Sequence, residues 1–174
     1  MRKFLVVVDM QKDFVDGALG TPEAQAIVPA VLEKIRGFDG DIFVTYDTHF
    51  EDYLNSAEGK KLPVPHCIYG TPGWELDEKV GELMEELSHI KVQKYTFGST
   101  SLPHLMAEVA DGDEFSIELI GLCTDICVIS NALILKANFP EVPIAVDASC
   151  CAGVTPALHE AALQTMRSCQ IDVI

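Results

Sequence analysis

Cys127 is the residue in this sequence best placed to act as a nucleophile. It follows Thr124 and Asp125, both good helix N-caps, and the residues after it carry an apolar face of Val128, Leu133 and Leu135. Cys127 therefore falls in a first helical turn. There, unpaired backbone N–H groups and the positive end of the helix dipole favour a thiolate and could steady an oxyanion. A thiolate needs a proton shuttle and a charge partner. Asp9 ends the apolar run Phe4 to Val8, and Lys94 ends a weaker run from His89 to Gln93. Lys94 would favour the thiolate, while Asp9 would take the thiol proton and pass it to a leaving amine. Taken singly, these residues read as a core thiol, a loop cap and a surface lysine. Their common placement at strand ends argues for the trio.

A second set has the composition of a metal site. Asp47-Thr48-His49 follows another apolar run, and Glu58 and His66 lie in the same Pro- and Gly-rich connection. Two imidazoles and two carboxylates suit zinc, iron or manganese. The connection shows no helix of its own, and long loops of that kind are usually functional. Cys67 adjoins His66 and is read as packing.

The elements that must carry these residues alternate. Strands are expected at Phe4–Val8, Ile42–Thr45, Ile117–Ile120 and Ile144–Val146, with weaker ones at His89–Gln93 and Ile171–Ile174. Helices are expected over 21–36, 76–87, 102–110, 124–138 and 156–167. Alternation of this kind implies an α/β fold with a parallel sheet covered on both faces. Ligands in such folds bind outside the carboxyl ends of the strands, where Asp9, Asp47, His49, Lys94 and Cys127 collect. Asp147 is read as the end of the fifth strand, capping a turn over Ser149–Ala152. His159 is read as a structural hydrogen-bond partner, and His89 and His104 as surface residues. No linker or repeat divides the 174 residues, so one domain over 1–174 is expected.

Charge removes several function classes. Lys and Arg number 12 against 27 Asp and Glu, a net −15, which repels phosphate backbones and anionic lipid. Nucleic acid and membrane partners are therefore not expected. The longest apolar run, Phe4–Val8, is too short for a signal h-region or a span, so a cytoplasmic location is expected. The six Cys form no C-x-x-C and are read as reduced thiols.

Several segments together resemble the isochorismatase-like cysteine hydrolases, and among them the nicotinamidase/pyrazinamidase branch. They are Val8-Asp9-Met10-Gln11-Lys12-Asp13-Phe14, Asp47-Thr48-His49, Leu62-Pro63-Val64-Pro65-His66-Cys67, Gly70-Thr71-Pro72-Gly73-Trp74-Glu75-Leu76, Lys94-Tyr95-Thr96-Phe97-Gly98-Ser99 and Gly121 to Val128. The likeness runs the whole length. It implies a three-layer α/β/α fold with a six-stranded, mostly parallel sheet, and a catalytic trio of Asp9, Lys94 and Cys127. It implies a cis peptide between Leu122 and Cys123, aiming the backbone N–H groups of Cys123 and Cys127 at the substrate oxygen. It also implies one divalent ion, zinc before iron or manganese, held by Asp47, His49, Glu58 and His66 and orienting the pyridine ring of nicotinamide. The chain departs from that branch at Pro63, where a ring-stacking aromatic is usual. Phe14, Leu19 and Phe97 could wall the pocket instead, with Trp74 a weaker candidate. The expected activity is hydrolysis of nicotinamide to nicotinate and ammonia, in NAD salvage, by a homo-oligomer. The alternatives are an amidase for another small amide or carbamoyl compound, and a non-enzymatic thiol or metal sensor.

Overall fold

A computed structural model describes residues 1–174. The elements are β1 (Arg2–Val8), α1 (Lys12–Val15), α2 (Pro22–Gly37), β2 (Asp41–Asp47), α3 (Ala57–Lys61), α4 (Glu78–Glu86), β3 (Ile90–Lys94), α5 (Leu102–Ala110), β4 (Phe115–Leu122), α6 (Ile129–Asn138), β5 (Ile144–Ala152), α7 (Pro156–Ser168) and β6 (Asp172–Val173). One six-stranded sheet has the order β3-β2-β1-β4-β5-β6, with every pair parallel. The strand order reverses between β1 and β4, and a crevice opens at the carboxyl ends of strands at such a reversal.

Local sequence explains these elements. Phe4 to Val8 is wholly buried because helices cover both faces of β1. Leu5 and Val7 face a core shared with Val31 of α2 and Val80 of α4. Phe4, Val6 and Val8 face another, shared with Met106 of α5, Leu135 of α6 and Leu163 of α7. The Thr21 hydroxyl accepts from Ala24 N–H and Pro22 opens α2. Thr155 and Pro156 repeat the device at α7. No helix is long and apolar enough to cross a membrane.

Four expectations need correction. The β2–β3 connection is not bare loop: it holds a 3-10 turn at Tyr53–Asn55 and then α3, capped by the Ser56 hydroxyl on Gly59 N–H. Five residues are too few to show a helical period. The fourth helix starts at Glu78, because Asp77 accepts from the N–H groups of Lys79 and Val80. The stretch expected as one helix over 124–138 opens with a wider turn, Thr124–Val128, in which Val128 N–H reaches back to Cys123 O at 3.1 Å. Asp147 does not end β5. It accepts from Ser149 N–H and Oγ at a bulge, and the strand runs on to Ala152. Burial alone would raise the Asp147 carboxyl, but bonds from Lys34 and Ser149 hold it below its ordinary value.

Gly121 is where β4 passes β1 most tightly. Its φ is +114°, and a Cβ there would stand 2.1 Å from Val8 O. Gly121→Ala is expected to destabilise the fold by at least about 2 kcal/mol, combining backbone strain with overpacking. A urea midpoint matching wild type would contradict this.

Candidate active site

The chain leaves β1 with Asp9 at φ +46°, a left-handed turn that Asp tolerates better than most residues. Thr45 on neighbouring β2 fixes it. Its hydroxyl donates to Asp9 Oδ1 at 2.6 Å and accepts from Asp9 N–H at 3.2 Å. Lys94 ends β3 in register with Asp47 at the end of β2. Lys94 Nζ lies 2.6 Å from Asp9 Oδ2, 3.1 Å from Asp47 Oδ1, 3.4 Å from Cys127 Sγ and 3.2 Å from Thr96 O. Asp9, Asp47, Lys94 and Cys127 are all buried. The three groups expected at separate strand ends thus converge on one ammonium.

The charges decide how the thiol rests. Two carboxylates already face one cation, so a third negative charge is disfavoured. Burial first, and then the Asp9 charge, push the Cys127 thiol well up, and Lys94 offsets only part of this. Its sulfur lies within reach of Lys94 Nζ, at 3.4 Å. Burial also raises Asp9, with Lys94 pulling the other way. Lys94 would lose its proton through burial alone, but Asp9, Cys127 and Asp47 hold it firmly charged.

Asp47 faces two ways. Its Oδ1 meets Lys94, and its Oδ2 lies 3.0 Å from His49 Nε2 and 3.6 Å from His66 Nε2. Glu58 Oε1 is 3.5 Å from each imidazole. One donor atom from each of Asp47, His49, Glu58 and His66 lies within 4.8 Å of the others. The chemistry fits a divalent ion. His66 Nδ1 is 2.8 Å from Val64 O, and a carbonyl only accepts, so Nδ1 carries a proton and Nε2 is the ring atom that faces the cluster. Gln11, fully buried, holds the Asp47 peptide from both sides. Its Nε2 donates to Asp47 O at 2.9 Å and to Trp74 O at 2.8 Å, and its Oε1 accepts from Asp47 N–H at 2.7 Å. Asp13 accepts from Cys67 N–H at 2.8 Å, steadying a turn with φ +46° next to His66.

A cavity of about 240 Å³ opens onto Asp47, His66 and Cys127. Phe14, Leu19 and Phe97 line it, together with Leu62, Ile126 and Val154. Trp74 does not. Its Nε1 donates to Thr48 Oγ1, and its ring packs against Tyr46 and Tyr69. The peptide between Leu122 and Cys123 is cis. The Cys123 side chain also lines the cavity, its thiol pushed up to about 12, mainly by burial. A larger cleft of about 560 Å³ lies around Lys3, Glu118 and Pro143, at the amino ends of the central strands. It holds neither a thiol nor an imidazole, so the chemistry belongs to the smaller cavity. His159 bonds Thr124 Oγ1 at 2.8 Å, a structural role.

Thr45, Gln11 and Tyr53 shape the site and do not stand out in the sequence. Gln11 lies within the quoted Asp-Met-Gln segment. Thr45 reads as an ordinary strand residue, and Tyr53 lies in an unresolved stretch of pattern.

Known proteins share this fold. An uncharacterized isochorismatase family protein, PncA of Bacillus subtilis (strain 168), is 32% identical over 146 residues, covering 76% of this chain and 78% of that protein. The crystal structure of a pyrazinamidase/nicotinamidase from Streptococcus mutans UA159 superposes with a TM-score of 0.85 at 26% identity, covering 99% of both chains. That of a pyrazinamidase of Pyrococcus horikoshii, in complex with zinc, gives 0.79 at 27% identity, covering 100% of this chain and 99% of the other. The isochorismatase domain model matches residues 3–174. With this match over nearly the whole length and a relative 32% identical over 76% of the chain, the chain belongs to the isochorismatase family.

Proposed function

We propose that this chain is a metal-dependent cysteine amidohydrolase, with nicotinamide as first substrate and a place in NAD salvage. One observation carries the reading. A single buried ammonium, Lys94 Nζ, touches the acid–base carboxylate of Asp9, the thiol of Cys127 and the metal-type carboxylate of Asp47. The named activities of the Streptococcus and Pyrococcus proteins agree with it. Zinc is the first choice of ion, given the donor set and the zinc in the Pyrococcus structure. When bound, a divalent ion supplies a Lewis-acidic position for a ring nitrogen of the substrate.

The chain's own residues do the covalent work. Asp9 takes the Cys127 proton as sulfur attacks the amide carbon. The resulting oxyanion rests on the backbone N–H groups of Cys123 and Cys127. Asp9 returns the proton to the leaving nitrogen, ammonia departs, and a thioester remains. Asp9 then deprotonates water, which attacks the thioester; the sulfur leaves and regains its proton. Lys94 holds Asp9 ionised between steps and keeps it aimed. Phe14, Leu19 and Phe97 exclude water from the ring.

No Lys or Arg lines the cavity, and its walls are apolar. A neutral amide fits such a cavity, and an anionic carbamoyl acid does not. Leu62 in place of an aromatic wall favours a second neutral amide as the alternative substrate. The sensor reading has less support: all six thiols are unpaired, and burial raises those of Cys67, Cys123, Cys127 and Cys151.

Ammonia release from nicotinamide, pyrazinamide, benzamide and a carbamoyl amino acid tests the reading. Nicotinamide and pyrazinamide are expected to turn over, at rates that fall at least about tenfold after chelation and return with zinc. Turnover confined to the carbamoyl acid, or to none of the four, would overturn it.

A further inference from the structure

Tyr53 is 3% exposed and contacts three parts of the site at once. Its ring packs edge-on against His49, with centroids 4.7 Å apart, and against His66 at 5.0 Å. Its hydroxyl does something unrelated to either imidazole, donating to Leu62 O at 2.8 Å. Leu62 N–H in turn donates to Glu58 O at 2.8 Å, and Val64 N–H closes on Leu62 O. Gly59 lets α3 lie against this turn: a Cβ there would stand 2.1 Å from Tyr53 O. The segment from Glu58 to His66 is thus a strap. Metal-type side chains stand at both ends, and a cavity wall, Leu62, sits at its middle.

A phenylalanine at position 53 would serve the imidazoles equally well. Only the wall uses the hydroxyl. Resting on the amidase reading, we propose that Tyr53 is a positioning residue whose hydroxyl fixes Leu62 as the wall that selects substrate, restricting the cavity to flat, uncharged, unsubstituted ring carboxamides. Leu62 offers an aliphatic edge in place of a stacking face, so selection acts through the distance between this wall and the floor at His66.

The test is Tyr53→Phe in the zinc-loaded protein. It compares kcat and KM for nicotinamide and 5-methylnicotinamide, and amide hydrogen exchange over residues 58–66. Losing one hydrogen bond is expected to raise KM for nicotinamide about 2–10-fold, with kcat falling less. The preference for nicotinamide over the methylated ring should narrow by a similar factor, and Leu62→Ala should narrow it as well. Exchange at Leu62–Val64 should quicken while one zinc per chain is retained. An active Tyr53→Phe enzyme with unchanged substrate preference and unchanged exchange would overturn this inference and leave the amidase reading standing. Loss of zinc would also overturn it, by showing the hydroxyl to serve the imidazoles. A wild-type protein inert on every amide would overturn the amidase reading itself, and the specificity claim with it.

Discussion

Cys127→Ala is expected to lower kcat for amide hydrolysis by at least about 10⁴-fold, since loss of a nucleophile removes the covalent route and leaves only binding and the oxyanion donors. Cys127→Ser should fall nearly as far. A serine hydroxyl releases its proton less readily than a thiol, and this site already resists a third negative charge beside Asp9 and Asp47. Ligand binding should survive in both variants, because the cavity walls and the metal-type residues are untouched. Single-turnover kinetics with calorimetric titration of nicotinamide would check both halves. An alanine variant that still released ammonia at a tenth of the wild-type rate would remove Cys127 from the chemistry.

Lys94→Met should be the most damaging change to the fold among the site residues. It leaves the buried carboxylates of Asp9 and Asp47 without the cation that lies 2.6 Å and 3.1 Å from them. Breaking a buried pair this way costs about 3–5 kcal/mol. Asp9 is already raised above 3.8, and loss of Lys94 raises it further. The folded state then binds a proton that the unfolded chain does not. The penalty is therefore greatest at neutral pH and shrinks as pH falls toward the ordinary carboxylate range. A double variant, Lys94→Met with Asp9→Asn, should recover much of the stability and none of the activity, because the two residues are coupled. Urea midpoints at pH 5 and pH 8 would show this. Equal destabilisation at both pH values would contradict the assignment of the cost to buried charge.

The parts of this molecule that were legible in its sequence share a cause. Asp9, Asp47 and Lys94 end apolar runs, and a parallel sheet places such ends along one edge. The metal-type quartet was legible from residue type and from its confinement to one connection. What escaped notice depends on convergence. Asp47 was legible only as a metal-type residue; that it also meets Lys94, 3.1 Å away, is a convergence no local pattern contains. Thr45 acts through a hydroxyl on a buried strand, where a β-branched residue is expected for packing alone. α3 is too short for periodicity, and the Asp147 bulge continues a strand that its polar residues appeared to end. Pro63 drew attention as the missing aromatic, yet the side chain that lines the cavity is that of its neighbour, Leu62.

The two-faced carboxylate of Asp47 has an evolutionary corollary. On the amidase reading, holding an ion and countering the Lys94 charge would be duties of one side chain, seated by Gln11 through both ends of its peptide. A descendant lineage could not discard its mineral requirement by altering this residue alone, for the same substitution would strip a counter-charge from Lys94. Relatives that have abandoned the ion should therefore carry either an acid retained at this position or a compensating anion nearby, and a survey of such sequences would reveal which path was taken.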